Sequence, residues 1–145
     1  MITISKATVD HAKEIQDIER MLFSDPWSLA SIINEISDAS SIFFVATEKD
    51  IVVGYVSMRH ILDEGHISNI AVVETYRKKR IGSLLFDALI AESKARKMVG
   101  LTLEVRTSNF PAQCLYQKYG FTVEGKRKNY YSLPTEDALI MWLRF

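Results

Sequence analysis

The sequence predicts an α/β protein, with a mixed central β-sheet of about seven strands flanked by about four helices. Two observations carry this. Apolar and β-branched residues alternate or run together in short segments, and elsewhere recur at helical spacing. The segments follow one another as β, α, α, β, β, β, α, β, α, β, β, so helical connections return the chain to one sheet of mixed direction. With 145 residues, 3 prolines, 6 glycines and no low-complexity segment or repeat, a single domain over residues 1–145 is expected.

Met1 to Ala7 alternates and reads as the first strand. Ala12, Ile15, Ile18 and Leu22 recur at helical spacing behind a cap at Thr8 or Asp10. Asp25-Pro26-Trp27-Ser28 breaks that helix, and Ser28 caps a second with Leu29, Ile32, Ile33 and Ile36 on one face. Ile42 to Thr47, Ile51 to Leu62 and His66 to Val73 read as an antiparallel meander. Its turns are Glu48-Lys49-Asp50 and Asp63-Glu64-Gly65. After the basic loop Tyr76 to Arg80, Ile81, Leu84, Leu85, Ala88 and Leu89 mark the clearest helix, ending near Lys97 with Gly100 beyond it. Leu101 to Arg106 alternates strictly as a strand. Asn109 caps a fourth helix, Pro111 lies in its first turn, and it ends at Gly120. Phe121 to Lys126 and Ala138 to Arg144 are the last two strands, joined by a polar and aromatic loop.

Lys+Arg and Asp+Glu are both 18, so the net charge of zero argues against a nucleic-acid binder working through phosphate neutralisation. No stretch approaches the apolar length of a membrane helix, and Met1 to Lys6 lacks a basic segment followed by an apolar run. One cysteine, Cys114, allows no intramolecular disulfide and fits a reducing compartment. A cytoplasmic protein, monomeric or weakly dimeric, with neither nucleic acid nor membrane as partner, is expected. His11, His60 and His66 show no metal-ligand spacing, so no metal is expected. Nothing pairs with Cys114 as a base would with a nucleophile, which favours a small buried thiol.

The strongest local signal is Val72-Val73-Glu74-Thr75-Tyr76-Arg77-Lys78-Lys79-Arg80-Ile81-Gly82-Ser83, passing from strand through basic loop to helix. A helix N-terminus offers unpaired N–H groups and the positive end of the dipole, and so can bind a phosphate. Arg77, Lys78, Lys79 and Arg80 add charge, and Gly82 permits close approach to the backbone. A solvated basic turn ahead of an ordinary helix would look the same.

At this loop the sequence resembles the GNAT acetyltransferases, whose pyrophosphate loop reads Gln/Arg-x-x-Gly-x-Gly/Ala. Arg77 and Gly82 match, while Arg80 stands where the family usually places its first glycine. If that position needs φ > 0, Arg80 is strained there; otherwise its side chain can meet a phosphate from an ordinary conformation. Asn69-Ile70-Ala71-Val72, Leu103-Glu104-Val105-Arg106, Ser108-Asn109, Leu115-Tyr116, Tyr119-Gly120-Phe121 and Asn129-Tyr130-Tyr131 extend the match. Their order and spacing resemble the ribosomal-protein-alanine N-acetyltransferases (the RimI type) over essentially the whole chain.

The resemblance implies a GNAT fold whose strands part to admit acetyl-CoA, direct acetyl transfer, and an acceptor at a protein or peptide N-terminus, above all the N-terminal alanine of a small-subunit ribosomal protein. It implies that the backbone of Ile70, Ala71 and Val72 pairs with the pantetheine arm. Arg77, Lys78, Lys79, Arg80, Ile81, Gly82 and Ser83 would hold the pyrophosphate, and Asn109 would contact the arm. Glu104 becomes the candidate base, on the strand face it shares with Thr102 and Arg106; a carboxylate on a wetted strand face, or one paired with Arg106, is the plainer alternative. Tyr116 becomes the candidate acid, with simple packing against the sheet as its alternative. Pro26, Trp27, Tyr130 and Tyr131 are the expected walls of an acceptor groove, since aromatics hold a short peptide at low entropic cost. Lysine side chains, polyamines, aminoglycosides, or a sensor without turnover remain alternatives for the function.

Overall fold

Seven strands, β1 (Ile2–Lys6), β2 (Ser41–Glu48), β3 (Ile51–Ile61), β4 (Glu64–Val72), β5 (Gly100–Arg106), β6 (Thr122–Tyr131) and β7 (Glu136–Arg144), join in the order β1-β2-β3-β4-β5-β7-β6. The computed structural model describes residues 1–145. Helices α1 (Ala12–Leu22) and α2 (Leu29–Ser37) lie between β1 and β2, α3 (Ile81–Ala95) between β4 and β5, and α4 (Phe110–Lys118) between β5 and β6. Every strand pair is antiparallel except β4 with β5, which the α3 crossover makes parallel.

The sheet is covered on both faces, and β2 shows why its sequence runs continuously apolar. Ile42, Phe44 and Ala46 join the core under α3, while Phe43 and Val45 join a second core under α1 and α2. Ile81, Leu85, Phe86 and Leu89 form the buried stripe of α3. The Ser28 hydroxyl accepts from the Ser31 N–H at 3.1 Å, and Asn109 Oδ1 from the Ala112 N–H at 3.3 Å, so these two expected caps are made. Helix α1 instead follows a 3-10 turn, Val9–His11, behind Thr8, and its N-cap His11 makes no side-chain cap bond. No helix is long and apolar enough to cross a membrane.

Three boundaries differ from the sequence reading. Strand β6 runs on through Tyr131 instead of ending at Lys126, so Asn129-Tyr130-Tyr131 belong to a strand rather than a loop. Most of its residues are exposed at the sheet edge, and such a strand carries no apolar alternation to read. The β3–β4 turn is Leu62-Asp63, and Gly65 lies within β4, where a Cβ would come within 2.5 Å of Leu101 Cδ2 and Met58 Sδ. Gly100 likewise opens β5 rather than closing α3. Lys97 takes the left-handed turn after that helix, at φ 60°.

The feature that shapes the site is the short union of β4 and β5. They pair only over Glu64–His66 with Gly100–Thr102. Beyond that point β4 continues to Val72 bonded to β3 alone, and β5 continues to Arg106 bonded to β7 alone. The register between β3 and β4 shifts where Ser57 faces Asn69 and Met58 faces Ile67, leaving Ser68 as an extra residue in β4. Such a bulge bends its strand and increases local twist, here where the two strands separate.

Candidate active site

The parted strands open a cavity of about 890 Å³ that runs from the α3 N-terminus to the hairpin between β6 and β7. One wall is β4 from Ile67 to Val72; the other is β5 from Leu103 to Arg106 with the start of α4. The N–H and C=O groups that β4 turns away from β3 find no strand beside them there. An extended chain bearing amide groups could take that place as an added strand does.

At one end lies the basic loop. Arg80 is the N-cap of α3 at φ 64° and ψ 19°, and its side chain caps nothing. Lys78 is also left-handed, at φ 62°. The position therefore demands the conformation that glycine takes freely, and a non-glycine residue there costs about 1–2 kcal/mol. Alternation of ordinary and left-handed residues turns successive N–H groups inward as a nest for an anion. Arg77 and Gly82 line the cavity, and a Cβ on Gly82 would meet nothing closer than Leu115 Cδ2 at 3.6 Å. The side chains of Lys78, Lys79, Arg80, Ile81 and Ser83 do not line it. Ile81 is buried in the core, and Lys79 Nζ lies 5.1 Å over the Tyr76 ring.

Glu104 of β5 and Tyr116 of α4 both line the cavity. Glu104 sits on β5 opposite Ile140 of β7, and its Oε1 lies 3.5 Å from Nε of Arg127 on β6. Arg106 is otherwise engaged: it donates to the carbonyls of Ser132 and Pro134, both at 3.0 Å, and to Glu136 at 3.2 Å. The Tyr116 ring packs edge-on to Phe86 with centroids 5.7 Å apart and lies 5.9 Å from Phe121, so it is core and cavity wall at once. Burial, with the Tyr131 hydroxyl adding to it, holds the Tyr116 phenol well above its ordinary pKa. Asn109, beside them, lines the cavity while capping α4.

The far end is aromatic and lies between the α1–α2 loop and β6. Trp27 and Phe23 contribute from the α1–α2 loop and Leu22 from the end of α1; Tyr130 and Tyr131 contribute from β6. Pro26 is exposed and does not line the cavity. The two tyrosine rings meet edge to face at 5.0 Å, and the Arg106 guanidinium lies 4.4 Å over Tyr131. Burial, and then the Tyr130 hydroxyl and Glu104, push Tyr131 up to about 12. Glu136 closes this end by accepting from the Ser108 N–H at 2.7 Å and the Thr107 hydroxyl at 3.0 Å. The sequence reading missed Arg106 and Glu136 as organisers of the site. Arg106 shared Glu104's strand face and was findable, whereas Glu136 reaches its partners across 28 residues and leaves no local pattern.

A split sheet with a free strand edge, a helix N-terminus with cationic neighbours, and a cavity joining them suit a ligand with an amide-bearing arm and a pyrophosphate. The acetyltransferase (GNAT) family model matches residues 12–121. The chain belongs to the GNAT acetyltransferases. As an acetyltransferase of this family it takes the acetyl group from acetyl-CoA. It is similar to the [ribosomal protein bS18]-alanine N-acetyltransferase of Haemophilus influenzae, 33% identical with 97% of each chain covered. It is also similar to the N-alpha-acetyltransferase of Saccharolobus solfataricus, 31% identical over 96% of this chain and 90% of that one. The crystal structure of the ribosomal-protein-S18-alanine N-acetyltransferase from Escherichia coli matches with a TM-score of 0.92. That chain is 32% identical, and the match covers 99% of this acetyltransferase and 94% of that chain.

Proposed function

We propose that this acetyltransferase modifies the N-terminal α-amine of a protein, and that its acceptor is the N-terminal alanine of ribosomal protein bS18. The observation that carries the reading is the aromatic end of the cavity, a groove between Trp27 and Tyr130–Tyr131 that meets Glu104 and Tyr116 where the strands part. The similarity to bS18-alanine acetyltransferases supports the choice of acceptor. The chemistry agrees: an α-amine with pKa near ~8 gives up its proton at neutral pH far more readily than a lysine near ~10.4.

In this reading Ile70, Ala71 and Val72 align the pantetheine arm by main-chain pairing, and a β4 N–H polarises the thioester carbonyl. The N–H groups of Ile81, Gly82 and Ser83 hold the pyrophosphate, with Arg77, Lys78, Lys79 and Arg80 supplying positive potential and Asn109 touching the arm. Glu104 takes a proton from the amine, directly or through one water. The nitrogen lone pair forms the C–N bond, the C–S bond breaks, and Tyr116 gives its hydroxyl proton to the departing sulfur. Trp27, Tyr130 and Tyr131 orient the peptide, with Pro26 shaping the loop outside them. We place the reaction in the cytoplasm, carried out by a monomer or weak dimer.

The test is thiol release from acetyl-CoA with a peptide beginning Ala-Arg-Tyr-Phe, beside a lysine peptide with a blocked N-terminus. Turnover on the first alone is expected, with kcat lower by about 10²-fold or more in Glu104→Gln and Tyr116→Phe. Turnover on the blocked peptide alone would sink the N-terminal acceptor.

A further inference from the structure

Glu19 lies near the end of α1 with its side chain fully buried on the sheet face opposite α3. Its Oε1 accepts from the Trp27 N–H at 2.9 Å. Its Oε2 accepts from Asn69 Nδ2 at 2.9 Å and from the Tyr55 hydroxyl. The three donors come from three segments: the α1–α2 loop, the bulged stretch of β4, and β3. No cation pairs with this carboxylate, so its burial is made tolerable by those hydrogen bonds alone. Burial first, and then Glu19 itself, hold the Tyr55 phenol far above its ordinary pKa, so it stays a donor.

Glu19 does not line the cavity, but Trp27 and Asn69 both do. The bond from Trp27 is also the only hydrogen bond made by residues 24–27, so the aromatic wall of the α1–α2 loop is tied down there. Glutamine would be a poor substitute. All three partners are donors, and an amide offers one acceptor oxygen where the carboxylate offers two.

We propose that Glu19 is a positioning residue for the acceptor: its carboxylate fixes Trp27 against the β4 bulge and so sets the width of the acceptor groove. This rests on the reading of the Trp27 end as the acceptor groove. Strand β4 itself is held by its ladder to β3, where Val56 faces Ile70 and Gly54 faces Val72, and that ladder does not involve Glu19. Loss of the carboxylate should therefore loosen the acceptor wall and leave the donor side in place.

The chain has 2 tryptophans, so a Trp142→Phe background isolates Trp27 as the fluorescent reporter. There, Glu19→Gln is expected to raise acrylamide quenching of Trp27 about twofold or more, with acceptor KM rising about tenfold as a charge-assisted hydrogen bond is lost. Acetyl-CoA KM and kcat should stay within about twofold, since Asn69 is the only cleft residue of β4 that Glu19 holds, the ladder of Ile70 to Val72 to β3 is kept, and neither Glu104 nor Tyr116 touches Glu19. Tyr55→Phe removes one donor but keeps the Trp27 bond, and should lower Tm without changing quenching or acceptor KM. If Glu19→Gln does not fold, Glu19→Asp keeps the charge, retracts it by one methylene, and is read in the same way. Unchanged quenching in a folded Glu19 variant overturns the proposal, as does an equal rise in Tyr55→Phe. The quenching arm needs no acceptor, so a wild-type enzyme inactive on the alanine peptide would overturn the proposed acceptor, while unchanged quenching would overturn the tie from Glu19 to Trp27.

Discussion

In the proposed mechanism packing and chemistry make the same demand on Tyr116: the ring must stay wedged against Phe86 and Phe121 while the hydroxyl stays protonated. A phenol whose pKa is raised by burial keeps its proton across the neutral and mildly alkaline range, so no loss of activity there should trace to it. Tyr116→Phe keeps both ring contacts, and its hydroxyl makes no hydrogen bond within the chain, so Tm should fall by less than about 3 °C while kcat collapses. Glu136 has a different pH dependence. Hydrogen bonds from Ser108, and then from Thr107 and Arg106, lower it from 4.5 to about 2 in the folded chain. A depressed carboxylate contributes stability that is full above its unfolded pKa and is lost as pH falls from about 4.5 towards about 2. Tm of the wild type should drop through that window, and Glu136→Gln should flatten the drop; an unchanged slope would remove Glu136 from the account. Glu104, Tyr116 and Trp27 were legible in the sequence because each stands in a short motif or beside a helix break. Glu19 and Glu136 were not, because each draws its meaning from partners that only the folded chain brings near.

The helices were readable almost to the residue, since Ser28 and Asn109 are caps that act within three positions of themselves. Strand β6 was cut short because an edge strand with lysines and arginines on both faces has no period to detect. In the sequence Gly65 and Gly100 read as residues outside the strands, yet both serve close approach; a Cβ on Gly100 would stand 2.7 Å from the Leu143 carbonyl oxygen. At the start of α3 the sequence posed a question about Arg80 that only the backbone answers. With Arg80 left-handed, Arg80→Gly should relieve strain and raise stability by up to about 1 kcal/mol, partly offset by the greater freedom of glycine in the unfolded chain. Denaturant unfolding checks this. A clear loss of stability would mean that the Arg80 side chain contributes more than its backbone costs.

Two half-sheets meet along three residue pairs of β4 and β5, with one apolar core spanning both on the α3 face. A ligand bound between the halves should hold them together, so acetyl-CoA at about 100 times its Kd should add about 2.7 kcal/mol to the unfolding free energy. Thermal melts with and without acetyl-CoA, and with acetate as control, measure it; no upward shift would argue against binding in the cleft. The α/β class and the order of elements could be read from periodicity. The gap could not, because a bulge at Ser68 and a ladder that stops at His66 leave Ile67 to Val72 looking like any buried strand. The outer edge at β6 is guarded by Lys126, Arg127 and Lys128, the kind of charge that keeps one protein's sheet from adding to another's. At the inner rim Arg77 Nε reaches the Val72 carbonyl at 3.3 Å, but Ile70 and Ala71 carry no such guard, and recruiting a strand-like ligand is the property that would also welcome a stray peptide. Without acetyl-CoA, a concentrated solution of this protein is thus exposed to self-association through the middle of its own sheet.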